Sequence, residues 1–90
     1  MDEDIEVTRV AKEVSKILDY IDDAVFPVSG DKSYDHLYLM LNEVHSGEVI
    51  GCKAHRYIGW VQCAICFYTN TNSEVFRDLN RRFQFKKEIT

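Results

Sequence analysis

The chain of 90 residues, with 46% hydrophobic residues, 29% charged residues and a formal net charge of −4, is expected to fold as one globular domain near the lower size limit for independent folding. Its acidic balance disfavours duplex nucleic acid as a partner, because no long basic stripe is present to neutralise the phosphates. No apolar run approaches the ~20 residues of a membrane span, and the acidic start Met1–Asp4 is opposite to a secretory signal, so we expect a cytoplasmic protein without a membrane partner.

A long first helix is predicted from about Asp4 to Val25. Its apolar residues recur at alternating spacings of three and four and form a seam that is widened on one side, with the members Val7, Val10, Val14, Ile17, Ile21 and Ala24. β-Branched residues are weak helix formers, so tertiary or intersubunit packing must hold this helix together.

A loop follows, which contains Pro27 and the segment 29–32, and Ser33 or Asp31 is placed to cap a second helix from about Tyr34 to His45. An apolar stripe of this helix faces the core and consists of Tyr34, Leu37, Tyr38, Leu41 and Val44. Leu39 and Met40 lie outside the stripe and are candidates for a second contact surface.

The third predicted helix, from about Glu48 to Tyr68 with Ser46 as its cap, holds the longest apolar region and the single Trp. One apolar stripe consists of Ala54, Tyr57, Ile58, Val61, Ala64, Ile65 and Tyr68. A second stripe consists of Trp60, Cys63 and Phe67. Gly51 and Gly59 are costly inside a helix, so we expect a close backbone approach at each, by a second copy or a ligand at Gly59.

A short fourth helix is predicted from Ser73 to about Phe83, opened by a capping box of Thr71 and Glu74. Its inward face is expected to carry Val75, Phe76, Leu79 and Phe83. Arg77, Arg81 and Arg82 point elsewhere and form a basic cluster that suits an acidic partner. Residues 84–90 are read as a short basic tail that frays.

These elements predict an all-α, single-domain chain of four helices. A helix that is apolar on two faces must be covered on both, and acids dominate residues 1–23 whereas bases outnumber acids in residues 47–90. We therefore expect a homo-oligomer formed through the first and third helices.

Two segments of the chain carry a resemblance to known proteins. They are Ala54-x-Arg56-Tyr57-Ile58-Gly59-Trp60-Val61-Gln62 and Thr71-x-x-Glu74-x-x-Arg77-Asp78-x-Asn80-Arg81. Taken together, they resemble a group of small, mostly uncharacterised bacteriophage and prophage proteins. Their shared motif is an Arg-aromatic-aliphatic-Gly-aromatic-aliphatic-Gln helix, followed by a short capped helix. This chain differs in having Tyr57 where Trp is usual and Cys63 where Gly is usual. The resemblance implies an all-helical phage accessory protein that acts on host processes, and it brings no catalytic residues with it.

One candidate ligand pocket surrounds Arg56, which interrupts the apolar region one turn before Trp60. Guanidinium, ammonium and aromatic groups together suit a planar anion such as a nucleotide, and the candidate residues are Lys53, Arg56, Tyr57, Trp60 and Gln62. In the alternative, structural interpretation, Arg56 pairs with an aspartate near the end of the first helix, and Gln62 satisfies a buried backbone group.

Metal and thiol chemistry are expected to be absent, although Cys52-x-x-His55 and Cys63-x-x-Cys66 have ligand types at suitable spacing. On one helix the two pairs are centred ~16 Å apart, too far for one zinc ion. Cys63 and Cys66 are expected to be buried and unreactive. No cofactor motif is present, and the candidate carboxylates fall on polar helix faces.

Binding is therefore favoured over catalysis. The leading hypothesis is a non-enzymatic phage accessory protein that inhibits a host pathway, foremost anti-phage defence, by binding a protein partner through Leu39, Met40, Arg77, Arg81 and Arg82. The alternative is an oligomeric sponge that sequesters a nucleotide-type signalling molecule between subunits.

Overall fold

A computed structural model describes residues 2–82, with side chains from residue 7 onward. The helices are α1 (Asp2–Asp19), α2 (Tyr34–His45), α3 (Gly51–Tyr68) and α4 (Ser73–Arg82), with one 3-10 turn at Asp23–Val25. The prediction of an all-α chain with four helices is confirmed, and residues 2–82 contain no strand. Phe83 and the predicted basic tail, residues 84–90, lie outside the described residues. None of the helices in the described range has the length and apolar character that crossing a bilayer requires.

Helix α1 ends at Asp19, well before the predicted end near Val25. Carboxylates at the C-terminal end of a helix oppose its macrodipole, and Asp19 is followed by Asp22 and Asp23. The Asp22 carboxylate instead accepts a hydrogen bond from the backbone N–H of Ala24 at 3.0 Å, which opens the 3-10 turn. Ala24 and Val25 are consequently exposed, and the prediction that they extend the apolar seam is wrong.

Helix α2 has the predicted bounds, and Ser33 is its cap. The hydroxyl of Ser33 accepts from the backbone N–H of His36 at 3.2 Å and donates to the carbonyl of Gly30 at 2.9 Å. This pair of bonds joins the loop to the first turn of the helix. Met40, predicted to lie outside the inward stripe, is buried, whereas Leu39 is exposed.

Helix α3 begins three residues later than predicted, at Gly51. Ser46 does not cap it: Ile50 occupies the N-cap position, and the hydroxyl of Ser46 donates instead to the carbonyl of Glu43 at 3.2 Å. Left-handed backbone at Gly47 (φ 89°) and at Gly51 (φ 66°) turns the connection. Gly51 therefore serves the turn, and the expected close approach of backbone at this position is wrong, since a Cβ there would meet no atom within 4 Å.

The core lies among α1, α2 and α3, which pack on one another. The α1 seam up to Ile21 and the first stripe of α3 both face it, so packing within the chain holds these surfaces. Its largest fully enclosed side chains are Val14, Leu18, Leu37, Leu41, Val44, Val61 and Ile65. The α1 seam packs inside the chain, and among the described side chains of α1, residues 7–19, no apolar stripe is left exposed.

Phe26 connects the turn after α1 to this core and was not recognised in the sequence. It is buried, and its ring lies 6.0 Å from that of Tyr34 and 5.8 Å from that of Tyr68. Tilted and edge-on arrangements at these distances are favourable aromatic contacts. Phe26 thus joins the start of α2 to the end of α3.

Helix α4 places Phe76 and Leu79 in the core, as predicted, while Val75 is exposed. The predicted capping box is wrong. The side chain of Asn72 accepts from the backbone N–H of Glu74 at 2.9 Å, and the hydroxyl of Thr71 is bonded instead to that of Thr69 at 2.8 Å. An Asn side chain competes well with Thr for this role, because its oxygen reaches the N–H two residues onward.

Candidate partner-binding groove

The outer side of α3 carries the second apolar stripe, which is exposed. Trp60 is 39% exposed and Phe67 is 75% exposed, and Cys63 between them is exposed as well. The expectation that Cys63 is buried is therefore wrong for the single chain. Gly59 is also on this side, and no atom would lie within 4 Å of a Cβ added to it, so the close approach expected there does not occur within the chain.

Trp60 is held in place by the loop before α2. The indole N–H donates to the backbone carbonyl of Asp31 at 3.0 Å, and the ammonium of Lys32 lies 5.2 Å from the ring centroid. A hydrogen bond and a cation over the ring fix the plane of the indole. The only Trp of the sequence therefore forms a wall with a groove on either side.

The larger groove lies between α2 and α3, has a volume of about 480 Å³, and is called the acidic groove below. Its lining consists of Asp31, His36, Leu39, Met40, Glu43, Tyr57 and Trp60. Asp31, Glu43 and His36 are its ionisable residues apart from Tyr57, and among the described residues no Lys or Arg is part of the lining. An aromatic and aliphatic surface with carboxylates at its edge suits a cationic group with an apolar stem, such as an Arg or Lys side chain.

The smaller groove, about 140 Å³, lies on the other side of Trp60. It is lined by Lys32, Trp60, Cys63, Ala64, Phe67 and Tyr68. Apart from the ammonium of Lys32, these side chains are apolar or weakly polar. This groove offers space for one apolar side chain next to the acidic groove.

The structure does not bring the five predicted ligand-binding residues together. Tyr57 and Trp60 line the acidic groove, but Lys53 and Arg56 do not. The ammonium of Lys53 lies 5.7 Å from the centroid of the Tyr57 ring, and the guanidinium of Arg56 is exposed. Among the described residues no carboxylate pairs with either cation, so the alternative in which Arg56 pairs with an aspartate near α1 is not realised.

Gln62 is turned away from the grooves and is buried at the contact between α3 and α4. Its amide exchanges two hydrogen bonds with the amide of Asn80. Its role is therefore structural, as in the alternative interpretation, although its partner is a side chain and not a backbone group.

The predicted partner-binding residues fall into two groups. Leu39 and Met40 both line the acidic groove, Leu39 as an exposed side chain and Met40 as part of its floor. On α4, the guanidinium of Arg77 pairs with Glu74 at 2.9 Å and that of Arg81 with Asp78 at 3.6 Å. Arg82 is exposed. The positive charge of α4 is thus partly offset along the helix itself.

The cysteines do not assemble into a metal site. Among the described side chains, residues 7–82, no group of three or more His, Cys, Asp or Glu could hold a metal ion. Cys66 is half-buried, and burial, followed by the charge of Cys63, raises the pKa of its thiol. A raised pKa keeps Cys66 protonated and unreactive near neutral pH.

Sequence reasoning missed Asp31, His36 and Glu43 as groove residues. The sequence contained a signal for His36 and Glu43. Helical spacing puts both of them on one stripe with Leu39 and Met40, beside the apolar face of α2. Asp31 lies in the loop before α2 and reaches the groove through its contact with α3. Because α3 is far from Asp31 along the chain, no local sequence pattern indicates this contact.

Comparison of the chain with protein-family models, with curated proteins and with solved structures gives no match. The function is therefore argued from the groove and its surroundings.

Proposed function

We propose that this protein is a non-enzymatic binding protein that holds a basic, partly apolar segment of a protein partner in the acidic groove. The observation that carries the proposal is the lining of that groove, which combines the rings of Tyr57 and Trp60 with the acidic residues Asp31 and Glu43. The ammonium groups of Lys32 and Lys53 lie 5.2 Å and 5.7 Å from the centroids of the Trp60 and Tyr57 rings, outside this lining. Complementary charge guides such a partner into register, while the aromatic and aliphatic surfaces supply most of the affinity.

The smaller groove supports the same proposal. It adds an apolar depression on the far side of Trp60, lined by Cys63 and Phe67 among others. A segment that places an Arg or Lys in the acidic groove and an apolar side chain in the smaller groove would span the indole of Trp60. Amphipathic helices present both kinds of side chain at suitable spacing.

The resemblance of residues 54–81 to phage and prophage proteins supports a host protein as the partner. Under this proposal the protein is encoded by a phage, acts in the cytoplasm of the host cell, and inhibits a defence pathway by occupying one of its components. The basic face of a host protein is the expected target, because the groove is acidic.

A pull-down with two matched variants tests the groove as the binding surface. Leu39 in the groove and Val75 on α4 are exposed to similar extents, 52% and 47%. Leu39→Lys introduces a charge that repels a basic segment, whereas Val75→Lys places the same charge away from the groove. We expect capture of the partner from host lysate to be lost with Leu39→Lys and kept with Val75→Lys. Equal capture by the two variants would show that the groove is not the site.

A titration with defined peptides tests the chemistry of the partner without knowledge of its identity. Trp60 is the only Trp and lines the groove, so its fluorescence reports binding directly. We expect an amphipathic Leu/Lys peptide to bind and a Leu/Glu peptide of the same length to bind far more weakly. Glu43→Gln should lower the affinity for the Leu/Lys peptide about 3- to 10-fold at low salt. Glu48→Gln, which changes a residue outside the groove, should leave this affinity unchanged. Equal affinity for both peptides would contradict the proposal.

A second candidate is the sequestration of a nucleotide-type signalling molecule between subunits. It is favoured by the exposure of Lys53 and Arg56, neither of which pairs with a carboxylate among the described residues, and by the nearby ring of Tyr57. If it holds, cyclic dinucleotides raise the melting temperature, and Arg56→Ala removes that rise while Glu43→Gln keeps it. No rise with wild-type protein would count against it.

A further inference from the structure

The outer side of α3 carries a projection and a depression at equal distances from one residue. Phe67 projects into solvent with 75% of its surface exposed. Gly59 is exposed and leaves open space above the helix, since a Cβ there would meet nothing within 4 Å. Cys63 is exposed and lies four residues from each of them. At ~1.5 Å per residue, Gly59 and Phe67 are ~6 Å along the axis on opposite sides of Cys63.

We propose that a second copy of this chain covers the outer side of α3, with the two α3 helices antiparallel and a two-fold axis passing at Cys63. A two-fold interface is self-complementary, so a projection on each chain must meet a depression on the other. With the axis at Cys63, Phe67 lies at the level of Gly59 of the partner subunit, and the reverse contact follows by symmetry. Trp60 lies at the level of Cys66 of the partner subunit.

Charge favours the antiparallel over the parallel arrangement. Helix α3 has no acidic residue in its first turn and no basic residue in its last turn, and Lys53 and Arg56 lie in its N-terminal half. The N-terminal end of a helix carries partial positive charge and the C-terminal end partial negative charge. An antiparallel pair brings Arg56 to the C-terminal end of the partner's α3, where a cation is stabilised. A parallel pair would place the basic residues of the two chains together.

The proposed dimer and the acidic groove share Trp60, and a second copy covers the smaller groove, so the partner segment is then held by the acidic groove alone. The groove lies on the side of α3 that faces α2, and Leu39, Met40 and Glu43 in its lining belong to α2. The seam of α1 from Val7 to Leu18 packs within the chain and leaves no apolar stripe exposed among residues 7–19. The outer side of α3 is therefore the surface that a second copy covers, and α2 remains accessible to another partner.

Disulfide trapping tests the position of the axis. The probes are a variant that keeps Cys63 alone (Cys52→Ser with Cys66→Ser) and a variant that keeps Cys52 alone (Cys63→Ser with Cys66→Ser); both Cys63 and Cys52 are exposed. In the proposed dimer the two Cys63 residues face each other, whereas the two Cys52 residues are ~33 Å apart along the axis, beyond the ~7 Å limit for a disulfide. We expect mild oxidation to cross-link the first variant at least about 10-fold faster than the second, and equal rates would overturn the proposal.

Sedimentation at a series of concentrations tests the dimer without a covalent bond. We expect wild-type protein to form a dimer, and Phe67→Asp and Gly59→Leu each to raise the dissociation constant by about 30-fold or more, because one removes the projection and the other fills the depression. Both variants should keep the wild-type helical circular dichroism. Tyr20→Asp, at a residue that is 93% exposed and outside α3, is the control and should remain dimeric.

A monomeric wild-type protein at all concentrations would refute the second copy as the occupant. A dimer that persists in both Phe67→Asp and Gly59→Leu would refute this face as the interface. Neither result bears on the peptide titration at the acidic groove, so failure of the dimer and failure of the proposed function are distinguishable.

Discussion

Gln62 and Asn80 exchange two hydrogen bonds and thereby join α3 to α4. The amide N–H of Gln62 donates to the Oδ1 of Asn80 at 2.9 Å, and the amide N–H of Asn80 donates to the Oε1 of Gln62 at 3.1 Å. Gln62 is buried, so its amide has little access to water. The pair positions α4 in one register, because a shift along the helix would leave both amides without a partner.

Removal of the second amide should therefore cost less than removal of the first. We expect Gln62→Leu or Asn80→Leu alone to lower the free energy of unfolding by about 1–3 kcal/mol, since each leaves a partly desolvated amide without its partner. The double variant should be less destabilised than the sum of the two. Urea denaturation of the four proteins measures the coupling, with Asn70→Ala, at an exposed site, as the control. Additive effects would show that the two bonds are not coupled in solution.

The hydrogen bond between Tyr38 and Asp19 predicts a loss of stability at high pH. The phenol donates to the Asp19 carboxylate at 2.5 Å, and this bond, with burial and the charge of Asp19, raises the pKa of Tyr38 to about 12 from the usual 10.0. Because the folded pKa is above the unfolded one, the contribution is complete below pH 10 and is lost as the pH rises towards 12.

Tyr38→Phe tests this contribution. We expect it to lower the free energy of unfolding by about 0.5–1 kcal/mol at neutral pH, a small effect because Asp19 is exposed. The difference between wild type and variant should shrink above pH 10 and vanish near pH 12, as followed by chemical denaturation and by the absorbance of the phenolate. A difference that stays constant across this range would show that the bond to Asp19 does not set it.

Ser33 should be a stronger contributor to α2 than its size suggests. Its hydroxyl is buried and takes part in two hydrogen bonds, to the backbone of His36 and of Gly30. Ser33→Ala should lower the free energy of unfolding by about 1 kcal/mol, in the usual range for a lost N-cap. Ser46→Ala is the matched control, because the Ser46 hydroxyl is exposed and bonds one carbonyl, that of Glu43. Equal effects of the two variants on thermal unfolding would contradict a special role of Ser33.

The sequence carried enough local information for most of the helices. The Ser33 cap and the spacing from Tyr34 to Val44 define α2, and one stripe of α3 faces the core as its periodicity indicates. The C-terminal end of α1 was missed because the local bond at Asp22 opens a 3-10 turn, and the start of α3 was missed because left-handed backbone at Gly47 and Gly51 lengthens the connection. Such bonds are weak, and several alternatives of similar energy exist in the sequence.

The candidate groove was only half visible in the sequence. Leu39, Met40, Tyr57 and Trp60 were singled out, but as members of two separate sites. The contact between the Trp60 indole and the backbone of Asp31 joins residues far apart in the chain and involves a carbonyl, which has no sequence signature. Gln62 was placed in a pocket because helical periodicity gives its face only approximately, and its partner Asn80 lies on another helix.

Two glycines in open surroundings should respond to alanine with opposite signs. Neither Gly47 nor Gly59 has an atom within 4 Å of an added Cβ, so packing does not separate them. Gly47 has φ 89°, in the left-handed region that L-residues avoid, whereas Gly59 lies inside α3 without positive φ. Gly47→Ala should lower the free energy of unfolding by about 1 kcal/mol, and Gly59→Ala should raise it by about 0.5–1 kcal/mol. Both changes in the free energy of unfolding are best measured by thermal and urea unfolding in a Phe67→Asp background. In that background the proposed dimer does not form, so a second copy does not cover Gly59. A destabilising Gly59→Ala in that background would show that the space above Gly59 is filled within the single chain.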